Sequence, residues 1–223
     1  MIEAVIFDLD GVLVDSEQVW DEVREELARE QGGRWPDRAQ ADMMGMSSLE
    51  WSRYMHDVVG LADPPEEISA VVVRRMQGRY ARDLPVIPGA VEAVRRLDGS
   101  YRLAVASSSN RPLIDAVLSA TGLSEAFEAT VSSEEVARGK PAPDVYLEAA
   151  LRLEVEPERA AAIEDSANGI LSAHAAGMSV VAVPNRRYPP ADDALALAGL
   201  VLESLAELTP AAVGRLASAD PAA

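Results

Sequence analysis

Residues 2–16 read Ile2-Glu3-Ala4-Val5-Ile6-Phe7-Asp8-Leu9-Asp10-Gly11-Val12-Leu13-Val14-Asp15-Ser16. An apolar run rich in β-branched residues stops at two carboxylates two positions apart, and the glycine that follows lets the backbone turn sharply. The pattern is that of a buried strand delivering acids to its carboxyl end. With a side-chain period of two, Asp8 and Asp10 leave the strand on the same side. Open α/β sheets bind ligands in the crevice beyond such strand ends, so the pair is placed to share a metal ion or one reacting group.

Outward from this strand the hydrophobic period changes twice. From Glu17 to Ala28 and from Glu66 to Ala81 apolar residues recur at helical spacing among many charges, with no convincing strand between. Leu84-Pro85-Val86-Ile87-Pro88-Gly89 then reads as a linker. Beyond it, helices at Ala90–Leu97, Pro112–Thr121, Asp144–Leu153 and Asn168–Ala176 alternate with strands at Arg102–Ala106, Ala129–Ser132, Ala160–Ile163 and Val180–Val183. That alternation predicts an α/β fold with a doubly wound parallel sheet. With Ile2–Phe7 as its first strand, residues 1–15 and 85–223 form the core domain. Residues 16–84 form an inserted helical cap above the acids, on a two-connection hinge that opens for substrate and closes to exclude water. There is no internal repeat, and the tail Ala217–Ala223 is expected to fray.

A chain of 223 residues with 48% hydrophobic content buries a substantial core. The absence of cysteine excludes disulfides, thiolate metal sites and a cysteine nucleophile, and is compatible with a reducing cytosol. No apolar stretch approaches the ~20 residues needed to span a bilayer, and no basic region precedes the first strand, so a soluble cytoplasmic protein with no membrane partner is expected. The formal net charge of -17 repels nucleic acid and anionic membranes. It repels a phosphate ligand as well, unless a metal ion, a lysine or a helix amino terminus supplies local positive charge.

Three later segments meet that need at predicted strand ends. Ser107-Ser108-Ser109-Asn110 offers hydroxyls and free amides for phosphate oxygens. Gly139-Lys140-Pro141-Ala142-Pro143-Asp144 holds a single lysine in a stiffened loop, able to neutralise a phosphate and an acid nucleophile together. Ile163-Glu164-Asp165-Ser166-Ala167-Asn168-Gly169 brings two carboxylates out of a strand. With Asp8 and the carbonyl of Asp10 they make an oxygen site suited to Mg²⁺. Singly, each segment reads equally as turn, cap or solvated surface chemistry. Their joint position at the strand ends of one sheet favours a shared site.

The four segments resemble the four motifs of the haloacid dehalogenase superfamily of phosphohydrolases. Asp8-Leu-Asp10-Gly11-Val-Leu-Val-Asp15-Ser16-Glu17 and Glu164-Asp165-Ser166-Ala167-Asn168-Gly169-Ile170 are similar to its small-cap subgroup, which includes β-phosphoglucomutase, phosphoglycolate phosphatase and sugar-phosphate phosphatases. The resemblance implies Asp8 as nucleophile, forming an aspartyl-phosphate, and Asp10 as general acid and then base. It implies that Gly11, Ser107, the amide of Ser108 and Lys140 hold the phosphoryl group. Mg²⁺ would be bound by Asp8, the Asp10 carbonyl and Asp165, with Glu164 supporting. The implied partner is a small-molecule phosphate ester, with a monomeric enzyme expected.

Substrate choice falls to the cap. Where β-phosphoglucomutase-like members carry a histidine after the Asp-Ser/Thr-Glu turn and an arginine after a cap glycine, this chain has Trp20 and Ser48. Hydrolysis of a sugar phosphate is favoured, with a phosphosugar mutase as the alternative. A phospho-accepting signalling module fits poorly, because it needs neither a lid nor Asp10. Trp20 is expected in core packing, with an apolar substrate wall as the other reading. Arg75 and Arg79 read as a solvated pair, and Met43, Met44 and Met46, beside Gly45, as cap packing. His56 and His174 read as structural. Asn185-Arg186-Arg187-Tyr188-Pro189-Pro190 reads as a plain strand exit, with a place on the rim of the cleft as the other reading.

Overall fold

A computed structural model of the chain describes residues 1–44, 46–185 and 187–216. Gly45, Arg186 and the tail whose fraying is expected lie outside the described residues. Strand β1 (Ala4–Phe7) is followed by helices α1 (Glu17–Glu30), α2 (Ala39–Met43), α3 (Ser48–Tyr54), a π-helical turn (Met55–Val59) and α4 (Pro65–Tyr80). The chain continues through α5 (Ala90–Leu97), β2 (Arg102–Ser107), α6 (Arg111–Thr121), β3 (Ala129–Ser132), α7 (Asp144–Arg152) and β4 (Ala160–Glu164). It ends with α8 (Ala167–Ala175), β5 (Ser179–Ala182), α9 (Asp192–Leu195), β6 (Leu200–Val201) and α10 (Pro210–Leu216).

The strands form one parallel sheet in the order β3-β2-β1-β4-β5-β6. This is the expected doubly wound α/β architecture. The strand order reverses between β1 and β4, the switch point at which such sheets open a crevice. Phe7 pairs with Ile163 there, so Asp8 leaves β1 level with Glu164 at the end of β4.

Side-chain alternation builds a different layer on each face. Val5, Phe7, Leu103, Val105 and Ile163 join one apolar cluster with residues of α5 and α6, while Ala4, Ala104, Ala106, Ala160 and Ala162 lie in a second with α7 and α8. Alanines on the second face leave room for those helices to sit close against the sheet, and Tyr146 of α7 is fully buried there.

Between β1 and α5 the regular elements are helical, as the charged helical spacing predicts. Helices α2 and α3 and the elements α9, β6 and α10 are too short to give a clear period in the sequence. The outgoing and returning passes of the chain are tied together. Asp15 donates its amide to the carbonyl of Pro85, Ile87 donates to Leu13, and Val14 bridges Val86. Trp20, Trp51, Met55, Val72 and Met76 fill the interior of the helical segment. Arg75 and Arg79 pair with Glu30 and Glu26 of α1, which braces α4 on α1.

The small-residue face yields a stability prediction. Ala104→Leu should destabilise the protein by about 1–3 kcal/mol through overpacking under α7. Urea unfolding followed by circular dichroism checks this, and a midpoint equal to that of wild type would refute close packing of that layer.

Candidate active site

The acids are presented by a tight turn after β1. Gly11 donates its amide to the carbonyl of Val14 at 2.7 Å and adopts a φ of +85°. A Cβ at Gly11 would lie 1.9 Å from Oδ2 of Asp165, so only glycine allows the turn to pack on that carboxylate.

Register then assembles the centre. Lys140, whose bond to Pro141 is cis, donates from Nζ to Oδ1 of Asp8 at 2.8 Å and to Oε1 of Glu164 at 2.6 Å. Tyr146 donates its hydroxyl to the same Glu164 oxygen at 2.7 Å, and its ring lies 4.9 Å from the ammonium. The other oxygen of Glu164 accepts from the Asp165 amide at 3.1 Å, the Ser166 amide at 3.3 Å and the Ser166 hydroxyl at 3.1 Å. Ser166 in turn caps α8 by accepting from the Gly169 amide. All four charged groups of the centre are buried.

Asp8, Glu164 and Asp165 each bring a carboxylate oxygen within 4.8 Å of the others. Burial, opposed by Lys140 and reinforced by the neighbouring Glu164 and Asp10, pushes the Asp8 carboxyl up to about 8. Burial, then Glu164, Asp8 and Glu17, hold the Asp165 carboxyl well above the usual range. Burial opposes the charge of Lys140, but Asp8 and Glu164 outweigh it and keep the lysine above its ordinary value. Three buried carboxylates around one ammonium leave negative charge uncompensated, and an all-oxygen donor set of this kind fits a hard divalent cation.

The Asp10 carboxylate stands outside that trio. It accepts from the Ser16 hydroxyl, from Trp20 Nε1 at 3.2 Å, from Ser109 Oγ at 2.6 Å and from Ser107 Oγ at 3.4 Å. Trp20 is thus both packed in the apolar interior and bonded to the second acid. The serine loop is held from below, where Ser132 donates to the carbonyl of Ser109 and Ser133 to that of Ser108. The Ser108 hydroxyl is buried without a partner among the described residues.

A cavity of about 50 Å³ separates this centre from the helical segment, with Asp8, Asp10, Ser108, Lys140 and Asp165 in its walls. Met43, Met44 and Met46 line its apolar side, and Met43 and Met46 also pack in the apolar cluster. The sequence reading assigned no role to three further groups. Glu17 and Arg24 of α1 line the cavity, and Tyr146 anchors Glu164. Burial pushes the Glu17 carboxyl up to about 7. For Glu17 and Arg24 the signal is position on the cavity-facing turns of α1, which needs the fold to be read. His56 bonds the carbonyl of Asp63 in the helical segment, away from the centre. Asn185 reaches Asp165 at 3.5 Å and Arg187 donates to Gln18, so the loop after β5 does form part of the rim.

Comparison with known proteins agrees with this geometry. The family model for haloacid dehalogenase-like hydrolases matches residues 2–177. Hexitol phosphatase B of Escherichia coli (strain K12) is 33% identical over 229 residues, covering 93% of this chain and 95% of its own. The phosphorylated carbohydrates phosphatase of Thermotoga maritima is 30% identical, covering 79% of this chain and 82% of its own. Among solved structures, CbbY from Rhodobacter sphaeroides in complex with phosphate superposes with a TM-score of 0.83 at 29% identity, covering 96% of this chain and 100% of its own. A parallel sheet that gathers an aspartate, a lysine and two further acids at its switch point, together with these relatives, means that the chain belongs to the haloacid dehalogenase-like hydrolases and is a phosphohydrolase.

Proposed function

We propose that the protein is a Mg²⁺-dependent phosphatase of small phosphorylated metabolites, sugar phosphates foremost, that works through an aspartyl-phosphate on Asp8. The observation that carries this reading is the single ammonium of Lys140 bonded to both Asp8 and Glu164 in a buried carboxylate cluster. An anionic nucleophile approaches an anionic phosphate only where positive charge is already in place.

In the proposed reaction an Asp8 oxygen bonds to phosphorus while the bond from phosphorus to the ester oxygen breaks, and Asp10 gives its proton to the departing alkoxide. Asp10 then takes a proton from water as that water attacks the aspartyl-phosphate, releasing phosphate and restoring Asp8. Lys140 holds the attacking carboxylate in place and offsets charge on the phosphoryl oxygens. The hydroxyl of Ser107 and the amide of Ser108 hold those oxygens, and Gly11 leaves them room. The donors around Asp10, namely Ser16, Trp20 and Ser109, fix its orientation. Mg²⁺ would be held by Asp8, Asp165 and the carbonyl of Asp10, with Glu164 supporting. Bound there, it would screen the repulsion between nucleophile and phosphate.

Residues 16–84 act in this reading as a cap on a core of residues 1–15 and 85–223. A cavity of about 50 Å³ admits little more than water, so a sugar phosphate enters only when cap and core part. The paired passes at Asp15 with Pro85 and Leu13 with Ile87 serve as the hinge. We take the enzyme as a cytoplasmic monomer, in line with its lack of cysteine and its net charge of -17. Trp20, in place of a polar cap group, supports hydrolysis over a mutase.

Phosphate release from a panel of sugar phosphates, phosphoglycolate and a chromogenic ester tests the reading. Wild type should release phosphate with Mg²⁺ and not with chelator, and Asp8→Asn should release none. Release that persists in Asp8→Asn would refute it. Lys140→Met should lower kcat by roughly 10²–10³-fold, the scale of losing one preorganised charge-stabilising donor. A loss below tenfold would argue against its role. Gly11→Ala, which drives a methyl into Asp165, should weaken Mg²⁺ binding at least tenfold by calorimetry. Unchanged affinity would remove Asp165 from the metal set.

A further inference from the structure

Arg24 lies one turn beyond Trp20 on α1 and is buried, with 7% of its surface exposed. Its guanidinium carbon sits 4.7 Å from the centre of the Trp20 ring and 4.8 Å from that of Trp51. The two indoles are 5.8 Å apart and inclined by 59°, so the cation occupies the angle between them. Such contacts hold a guanidinium in place but use none of its N–H donors. Arg24 makes no hydrogen bond among the described residues, and its Nε is buried without a partner. Glu17 and Asp21 act on it electrostatically, yet neither reaches ion-pair distance. Burial pulls its pKa down to about 10, which leaves it charged at neutral pH.

The same side chain lines the cavity that contains Asp8 and Asp10. The other cation there, Lys140, already donates to Asp8, Glu164 and Tyr146. Among the described residues, Arg24 is therefore the cavity cation whose donors remain unspent. A buried guanidinium with open donors is costly, and an anionic oxygen group offsets that cost far better than a neutral hydroxyl.

We propose that Arg24 is a specificity-determining residue, and that the preferred substrate carries, beyond its scissile phosphate, a second anionic oxygen group held by this guanidinium. That group is a carboxylate or a second phosphate. The proposal rests on the phosphatase reading above and names the substrate class of that site.

Matched pairs test it. 3-Phosphoglycerate differs from glycerol 3-phosphate by a carboxylate in place of a hydroxymethyl group, and glucose 1,6-bisphosphate differs from glucose 6-phosphate by a second phosphate. Wild type should favour the charged member of at least one pair by about thirty-fold or more in kcat/KM, the scale of hydrogen bonds to a charged group. The pair that shows the preference tells carboxylate from phosphate. Arg24→Gln should bring that ratio to within threefold of unity, and Arg24→Lys should keep part of it. Calorimetric binding of the same four compounds to Mg²⁺-loaded Asp8→Asn should show the same preference without turnover. A ratio unchanged in Arg24→Gln, or a wild-type preference for the neutral members, would overturn the proposal. Selective binding of charged members with no phosphate release from wild type would contradict the phosphatase reading while supporting the role of Arg24.

Discussion

One ammonium shared between two buried carboxylates is the constraint around which the rest of this molecule is arranged. Lys140 reaches Asp8 and Glu164 only because β1 and β4 are neighbours with Phe7 level with Ile163. Removing charges from water costs several kcal/mol per ion, and pairing offsets this only where geometry and further hydrogen bonds are good. Glu164 meets that condition completely: Lys140 and Tyr146 saturate one oxygen and the turn before α8 saturates the other. Asp8 and Asp165 do not, and burial first, with the neighbouring acids adding to it, holds both carboxyls above the usual range. A buried acidic cluster of this kind is unfavourable alone, and a bound cation would offset its cost.

The layers of the fold follow from that demand. Alanines on one face of the sheet bring α7 close enough for the Tyr146 hydroxyl to meet Glu164. Gly11 and Gly169 stand where a Cβ would fall within 2 Å of the Asp165 and Glu164 carboxylates. Close packing and charge placement are here the same requirement, so a change to either residue acts on chemistry and stability together.

The core of the site was legible in the sequence because each of its groups is announced locally. Asp8 and Asp10 end an apolar strand, Lys140 stands just before two prolines in a stiffened loop, and Glu164 and Asp165 end another strand, so a parallel sheet alone suffices to gather them. The small layer under α7 was not anticipated, because alanines in a strand pattern look like weak strand formers. Tyr146 and Arg24 were illegible for a related reason. Tyr146 is an ordinary apolar-face residue of its helix until the register of β4 is known, and an arginine on a charged helix reads as solvated. The second indole beside Arg24 comes from Trp51, on a helix whose short length hid it. Arg75 and Arg79 show the opposite outcome, since their reading as surface charges agrees with their pairing to α1.

The assignment of Asp8 as nucleophile can be tested by stopping the reaction halfway. Asp10→Asn protein, loaded with Mg²⁺ and mixed with a chromogenic phosphate ester, should be quenched in acid and digested for mass spectrometry. Without Asp10 to activate water the intermediate should accumulate, and the peptide containing Asp8 should carry a phosphoryl group. A phosphoryl group on another residue, or none at any time while wild type releases phosphate from the same ester, would contradict it.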